Sequence, residues 1–198
     1  MKRIAAIFTL LLAMMNLSCQ SQKADAENPL LTTWTTPYGV PPFDQIELKH
    51  YMPAFEQAMA AHAAEIEAIT ASTEEPTFEN TILKFDESGQ LLERVSLVFG
   101  MLSAADTNPE MQQIEAEVMP LLASHSDRIM LNEALFERIK GVYDKRSTLK
   151  LDAEQRRLLD KTYNEFVRSG ALLEGEARER LKAINEELSA VSVKYGQN

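Results

Sequence analysis

Through most of the chain, apolar residues recur every three or four positions, as they do along one face of an α-helix. This spacing predicts a first helix from about Lys49 to Ala71. It predicts a second helix from the N-cap Thr77 to about Ala104, weakened locally by Gly89. The two inward faces are apolar except for one histidine: Phe55, Met59, His62, Ile66 and Ile69 in the first helix, and Phe78, Ile82, Phe85, Leu92 and Phe99 in the second.

Capping signals predict three further helices in the middle of the chain. Asn108-Pro109-Glu110 has the order of cap, proline and acid that starts a helix, which Pro120 should later kink or break. Asn132 caps a fourth helix, and Asp152 with Gln155 forms a capping box for a fifth. The apolar residues predicted to face inward are Leu135, Ile139 and Val142 in the fourth helix, and Leu158, Leu159, Tyr163, Phe166 and Val167 in the fifth.

A sixth helix, beginning near Gly175, has the most regular pattern in the chain. Its apolar residues alternate steps of four and three, as in a heptad repeat: Ala177, Leu181, Ile184, Leu188, Val191 and Tyr195. No terminator follows this stripe, so we expect it to need a partner that lies partly beyond residue 198. Because no strand pair or repeat is evident, the predicted fold is all-α, an antiparallel helical bundle.

The segment before the first helix is predicted to be extended. Residues 28–43 contain four of the eight prolines, which disfavour helix. Large apolar residues within it suggest a strap across the domain surface rather than a solvated linker: Leu30, Leu31, Trp34, Tyr38 and Phe43.

The N-terminus has the pattern of an export signal. Met1-Lys2-Arg3 is a basic start, and the apolar run 4–15 that follows has the length of a secretory h-region. Asn16-Leu17-Ser18-Cys19 then resembles the lipobox of bacterial lipoproteins, which implies lipidation of Cys19. An ordinary signal peptide cleaved after Ala24-Asp25-Ala26 is the alternative, although Lys23 separates that site from the apolar run.

These features predict four segments along the chain. They are a lipoprotein signal peptide at 1–18, a tether at 19–28, a proline-rich strap at 29–47 and a helical lobe at 48–198. The expected location is therefore the bacterial cell envelope, where the lipid anchor would bind the protein to a membrane.

Composition and charge narrow the function classes. Hydrophobic residues make up 45% of the chain, as is usual for a globular protein. The 30 acidic and 20 basic residues give a formal net charge of −10, which argues against nucleic acid as a partner. A single cysteine excludes a disulfide framework.

A search for catalytic chemistry finds none. His50, His62 and His125 do not form His-Glu-x-x-His, the spacing that puts two imidazoles and a carboxylate on one helix face to bind zinc. His62 falls on an apolar stripe and is expected to be a core or boundary residue. No nucleophile elbow or phosphate-binding loop occurs. The residues alone thus predict no catalytic or metal-binding residue and leave substrate-binding residues unknown.

A series of short motifs resembles the N-terminal region of the thimet-oligopeptidase-like zinc metallopeptidases. One departure is Leu30, where phenylalanine is expected. The motifs occur in the family's order: Asn28-Pro29-Leu30, Pro42-Phe43-Asp44-Gln45-Ile46, His50-Tyr51-Met52-Pro53-Ala54-Phe55-Glu56, Pro76-Thr77-Phe78-Glu79-Asn80-Thr81-Ile82, Phe166-Val167-Arg168-Ser169-Gly170-Ala171 and Leu181-Lys182-Ala183-Ile184-Asn185.

The resemblance implies an all-α, two-lobed enzyme with a deep channel, of which this chain is the N-terminal lobe. In the family, zinc held by His-Glu-x-x-His and a distal glutamate activates water to cleave short peptides, and one branch releases dipeptides from their C-termini. No position here matches that motif, so no catalytic residue can be assigned and this chain alone is predicted to be inactive and to bind no zinc. Its partners would be short peptides and the C-terminal catalytic lobe.

Two function classes therefore remain open. The first is the channel-roofing N-terminal part of a zinc peptidyl-dipeptidase. The second is a stand-alone, non-catalytic helical lipoprotein that binds peptides or a partner protein. The lack of a terminator after the sixth helix favours the first.

Overall fold

The structure is a computed structural model that describes residues 28–196. Within this range all regular structure is helical, which confirms the all-α prediction. None of the helices in this range combines the length and apolar character needed to cross a membrane. The chain divides into two units, one ending at Ile46 and the other beginning at Glu47.

In the first unit, residues 28–46 form turns held by local hydrogen bonds. Leu30 is buried, and its N–H donates to Oδ1 of Asn28 at 3.0 Å. The predicted anchoring role is wrong for Tyr38, which is fully exposed, and Phe43 is also exposed. Tyr38 occupies the middle of a 3₁₀ turn with a φ of 62°, and a turn tip of this kind directs its side chain to solvent.

The second unit contains seven α-helices among its described residues, and they agree in order with the predicted ones. A 3₁₀ turn, Leu48–His50, precedes the first helix, and a π-helix, Phe78–Leu83, precedes the second. The α-helices are α1 Tyr51–Thr70, α2 Lys84–Asp86, α3 Gln90–Ala105, α4 Pro109–Met130, α5 Glu133–Asp144, α6 Ala153–Arg168 and α7 Gly175–Gly196.

The predicted N-cap residues lie at the observed starts of their helices. Asn108 Oδ1 accepts from the N–H of Met111, and Asn132 Oδ1 accepts from the N–H of Leu135, both at 2.9 Å. Asp152 and Gln155 exchange hydrogen bonds in the predicted capping box. Each cap satisfies an N–H group that has no partner within its own helix, which fixes the first turn.

The predicted second helix is not continuous. Thr77 is its N-cap, as expected, but the first turns are π-helical and the helix is interrupted after Asp86. Gly89 adopts a φ of 74°, a left-handed conformation that ends one α-helix and redirects the chain into α3.

The expected break at Pro120 is wrong, because α4 continues from Pro109 to Met130 with Pro120 inside it. Proline removes one backbone donor but leaves the other hydrogen bonds of the helix in place. Val118 and His125, on either side of Pro120, are both buried, so the two halves of α4 are held against their neighbours.

The main core lies between α1, the π-helix, α5 and α6. Phe166 is fully buried and its ring lies 5.3 Å from that of Phe85, while Tyr143 and Tyr163 stack with centroids 3.8 Å apart. The buried members are Ile66, Ile69, Phe78, Ile82, Ile129, Leu135, Phe136, Ile139, Val142, Leu159, Phe166 and Ala171.

A buried arginine fixes the connection between α1 and the π-helix. Arg138 of α5 is 8% exposed and donates to the carbonyl oxygens of Ser72 and Glu74 at 2.9 and 3.1 Å. It also donates to Oδ1 of Asn80 and Oγ1 of Thr81. One guanidinium therefore donates to four acceptors between Ser72 and Thr81.

The last helix packs through a face other than its heptad stripe, which sequence analysis expected to need a partner lying partly beyond residue 198. Its heptad stripe is not buried: Ile184, Leu188, Val191 and Tyr195 are all exposed. The helix instead buries Val193 and packs on α4 through a largely polar face.

Candidate functional site

Two of the three histidines meet in the interior of the second unit. His62 of α1 is half-buried, and His125 of α4 is 3% exposed. Nδ1 of His62 lies 3.1 Å from Nε2 of His125. His50 lies elsewhere and completes a cap, its Nδ1 accepting from the N–H of Glu47 at 2.9 Å. Cys19, the predicted lipidation site, lies outside the described residues.

The histidine pair is part of a longer hydrogen-bonded chain. At one end, Nη2 of Arg128 lies 3.4 Å from Nδ1 of His125. At the other end, Nε2 of His62 lies 3.3 Å from Oγ of Ser88, which donates to the carbonyl oxygen of Phe85 at 2.7 Å. The chain connects α4, α1 and the turn that follows α2.

Arg128 at one end of the hydrogen-bonded chain and Ser88 at the other lead to the same positions for the imidazole protons. Arginine can only donate, so Nδ1 of His125 accepts and its Nε2 carries the proton. The single hydroxyl proton of Ser88 is used on Phe85, so its oxygen must accept from Nε2 of His62. Both requirements hold when each imidazole is neutral, with its proton on Nε2.

Burial favours the neutral form of both imidazoles. Burial, together with the smaller effects of the neighbouring His62 and Arg128, lowers the pKa of His125 from 6.5 to about 4. Burial also lowers the pKa of His62, although the carboxylate of Glu65 opposes this shift. A proton added to either ring would place two donors against each other within the chain.

Gly89 lets the His62 ring approach the backbone. A Cβ at this position would lie only 2.9 Å from Cε1 of His62, so a larger residue would displace the ring. The N–H of Gly89 donates to Oε2 of Glu65 at 2.7 Å. The turn after α2 is therefore attached to α1 at both Ser88 and Gly89.

Sequence reasoning recognised His62 as a stripe residue but missed its partner. His125 shares a face of α4 with three buried residues, and this spacing was the available signal: Met111, Val118 and Ile129. Two histidines on inward faces of different helices can meet, but 63 positions separate them and no local pattern indicates the pairing.

The cluster does not fit a zinc site. All four ring nitrogens of His62 and His125 are already hydrogen-bonded. Within residues 28–196, no three His, Cys, Asp or Glu side chains are grouped so that they could hold a metal ion. The histidine chain is thus suited to joining helices rather than to metal-assisted chemistry.

An open groove of about 550 Å³ lies between α3 and α4. Its floor is apolar, with Phe55, Phe99 and Met119, while Gln112 and Glu115 supply polar atoms. Apolar surface beside a few hydrogen-bonding groups is typical of a ligand-binding cleft. No catalytic group was predicted here, and sequence reasoning did not identify the groove.

Comparison with known proteins shows strong similarity to peptidases. The chain is 40% identical over 170 residues to the dipeptidyl carboxypeptidase of Escherichia coli strain K12 and 41% identical over 170 residues to that of Salmonella typhimurium. It is 27% identical over 171 residues to the oligopeptidase A of Salmonella typhimurium. No protein-family model matches the chain.

These matches cover most of this chain but only a small part of each relative. Each covers 86% of this chain but only 25% of the relative. The chain therefore spans about a quarter of the length of the curated relatives it matches. The similarity confirms the resemblance to this group of peptidases.

Proposed function

We propose, from its similarity to the dipeptidyl carboxypeptidases, that this chain is the N-terminal part of a zinc peptidase that releases dipeptides from the C-termini of short peptides. The supporting observation is 40% identity over 86% of the chain to a relative of which only 25% is matched. The order of the sequence motifs supports the N-terminal placement.

In this proposal the chain binds no zinc itself and contributes no catalytic group. The described residues lack a grouped set of metal ligands, so water activation belongs to the remaining length of the enzyme. This part shapes and roofs the channel and admits only short peptides. The all-helical fold and the groove between α3 and α4 are compatible with that role.

The proposal includes export and membrane attachment. The basic start, the apolar run 4–15 and the lipobox-like sequence ending at Cys19 support a lipoprotein of the bacterial cell envelope. The proline-rich segment after the tether would then connect the anchor to the helical part.

A chimeric enzyme tests the peptidase assignment. Residues 28–196 replace the aligned quarter of the Escherichia coli dipeptidyl carboxypeptidase, and release of C-terminal dipeptides from an N-terminally blocked peptide is measured. We expect activity that a chelator removes and zinc restores, whereas the relative lacking its aligned quarter is inactive. A folded chimera with no dipeptide release would contradict the assignment.

The second candidate is a non-catalytic peptide-binding protein, which the groove beside Phe55 and Phe99 favours. Fluorescence anisotropy of labelled short peptides with the 198-residue chain separates the two candidates. Micromolar binding that Ser103→Trp abolishes by filling the groove would favour this candidate. The peptidase proposal expects no such binding by this part alone.

A further inference from the structure

The last helix, α7, contacts the rest of its unit through its more polar face. An ordinary amphipathic helix packs through its apolar face. Val193 is 8% exposed, and Nδ2 of Asn185 donates to Oδ1 of Asp127 in α4 at 2.8 Å. Arg178 forms an ion pair with Glu133 and donates to the carbonyl oxygen of Leu173. The packed face is thus held largely by polar contacts.

The apolar face of α7 is open instead. We use the term heptad face for its four large exposed members, Ile184, Leu188, Val191 and Tyr195, whose exposed fractions are 49, 60, 55 and 84%. At its N-terminal end, Leu181 is half-buried beside Gly170 and Leu173, and Leu173 is itself 37% exposed. A surface helix normally buries its apolar stripe, so this face is suited to a further contact.

The spacing of the heptad face indicates the kind of partner it fits. Steps of three and four residues form the seam into which a second helix inserts its own apolar side chains. The polar face of α7 is already occupied by α4, so a helix on the heptad face would lie on the other side of α7.

We propose that the heptad face docks a helix from the remaining length of the same enzyme, the part that follows this chain in a dipeptidyl carboxypeptidase. The proposal rests on the proposed function, because its occupant is taken from the three quarters of the relatives that this chain does not match. A second copy of this chain is the competing occupant, and the experiment separates the two.

Cysteine labelling measures whether the face is covered. Leu188→Cys is placed in the 198-residue chain with Cys19→Ser and in the chimeric enzyme, and its rate of reaction with a maleimide is measured. Ala183→Cys is the matched control, since Ala183 is exposed on α7 but lies off both the heptad face and the face against α4. The chimera without an introduced cysteine gives the background.

We expect Leu188→Cys to react at the control rate in the 198-residue chain and at least about tenfold more slowly in the chimera. Equal rates in an active chimera would overturn the docking proposal while leaving the peptidase assignment intact. Protection in the 198-residue chain, together with a dimer mass by sedimentation, would assign the face to a second copy. Loss of dipeptide release tests the peptidase assignment separately.

A second measurement needs no chimera. The double variant Ile184→Glu/Leu188→Glu should leave the thermal midpoint of the 198-residue chain equal to that of Ala183→Glu/Ala190→Glu, because both pairs are exposed there. Val193→Glu, on the packed face, should lower it by several degrees. A lower midpoint for Ile184→Glu/Leu188→Glu than for its control would show that the heptad face is already covered, and the proposal would be wrong.

Discussion

His125 and His62 are joined by a hydrogen bond between two neutral rings across the contact between α4 and α1. Nε2 of His125 donates to Nδ1 of His62 over 3.1 Å, and Arg128 and Ser88 fix the direction of that donation from the two ends. Protonation of either ring replaces an attraction with a repulsion between donors. The contact is therefore sensitive to pH.

The free energy of unfolding should fall as the pH drops from 6.5 towards 4. The pKa of His125 is 6.5 when unfolded and about 4 when folded, so the unfolded chain binds more protons in this window. The loss from this group is about 2 kcal/mol at pH 5 relative to pH 7.5. Urea unfolding of the wild type and His125→Gln at both pH values isolates the effect from carboxylate titration. If the free energy of unfolding depended on pH in the same way in both proteins, the lowered pKa of His125 would be contradicted.

Gly89→Ala should destabilise the protein by at least about 1 kcal/mol, because it adds left-handed strain to a collision with His62. Gly100→Ala is the control: Gly100 lies within α3 with no atom within 4 Å of an added Cβ, so alanine there should be neutral or stabilising by up to about 1 kcal/mol. Chemical unfolding curves of both variants provide the comparison. Equal stabilities would contradict the close approach described for His62.

Arg138→Met should lower the free energy of unfolding by about 2–4 kcal/mol, because it leaves several buried or half-buried acceptors without a donor. Hydrogen exchange should accelerate first in residues 71–77, which this guanidinium connects to α5. Arg156→Met, at an exposed position in α6, is the control and should change stability by less than about 0.5 kcal/mol. Unchanged exchange in residues 71–77 would show that other contacts hold that segment.

Cys19→Ala should release the protein from membranes and abolish its metabolic labelling with palmitate. A single acyl chain anchors weakly, whereas the several chains of a lipoprotein anchor it stably. Cells expressing the wild type and the variant are labelled and fractionated, and Ser18→Ala, which keeps a small residue before the cysteine, should still be labelled. Equal labelling of wild type and Cys19→Ala would refute lipidation at this residue.

The 198-residue chain alone should hold no stoichiometric zinc and release no dipeptide, since its described residues contain no grouped set of metal ligands. Elemental mass spectrometry on protein purified without chelators and hydrolysis of a quenched peptide are the measurements. One tightly bound zinc per chain would mean that the histidines were misinterpreted.

The helix order was predictable because its signals are local. Asn108, Asn132 and Asp152 each cap a helix through a bond to a residue three positions on. Gly89 was recognised as a weak point, but its positive φ and its contacts with His62 and Glu65 in another helix were not. Tertiary contacts of this kind cannot be deduced from the spacing within one segment.

The packing of α7 and the histidine pair show where sequence periodicity fails. The heptad pattern correctly identified a helix and its apolar stripe, but periodicity says nothing about which face an existing neighbour covers. Here Asn185 and Val193 pack, while Leu188 remains exposed. The histidine pair was missed for a similar reason, since each ring is ordinary within its own helix.

The separation of the core from the heptad face along the chain has a consequence for the order in which the chain folds. Every buried residue of the main core lies between Ile66 and Ala171, whereas the heptad face begins at Ile184. Domains form from the N-terminus as the chain emerges, so during the proposed export the core can close before the heptad face has crossed the membrane. The apolar surface then emerges on a scaffold that is already folded, and in the proposed enzyme its exposure to chaperones or aggregation would end when the docking helix emerges.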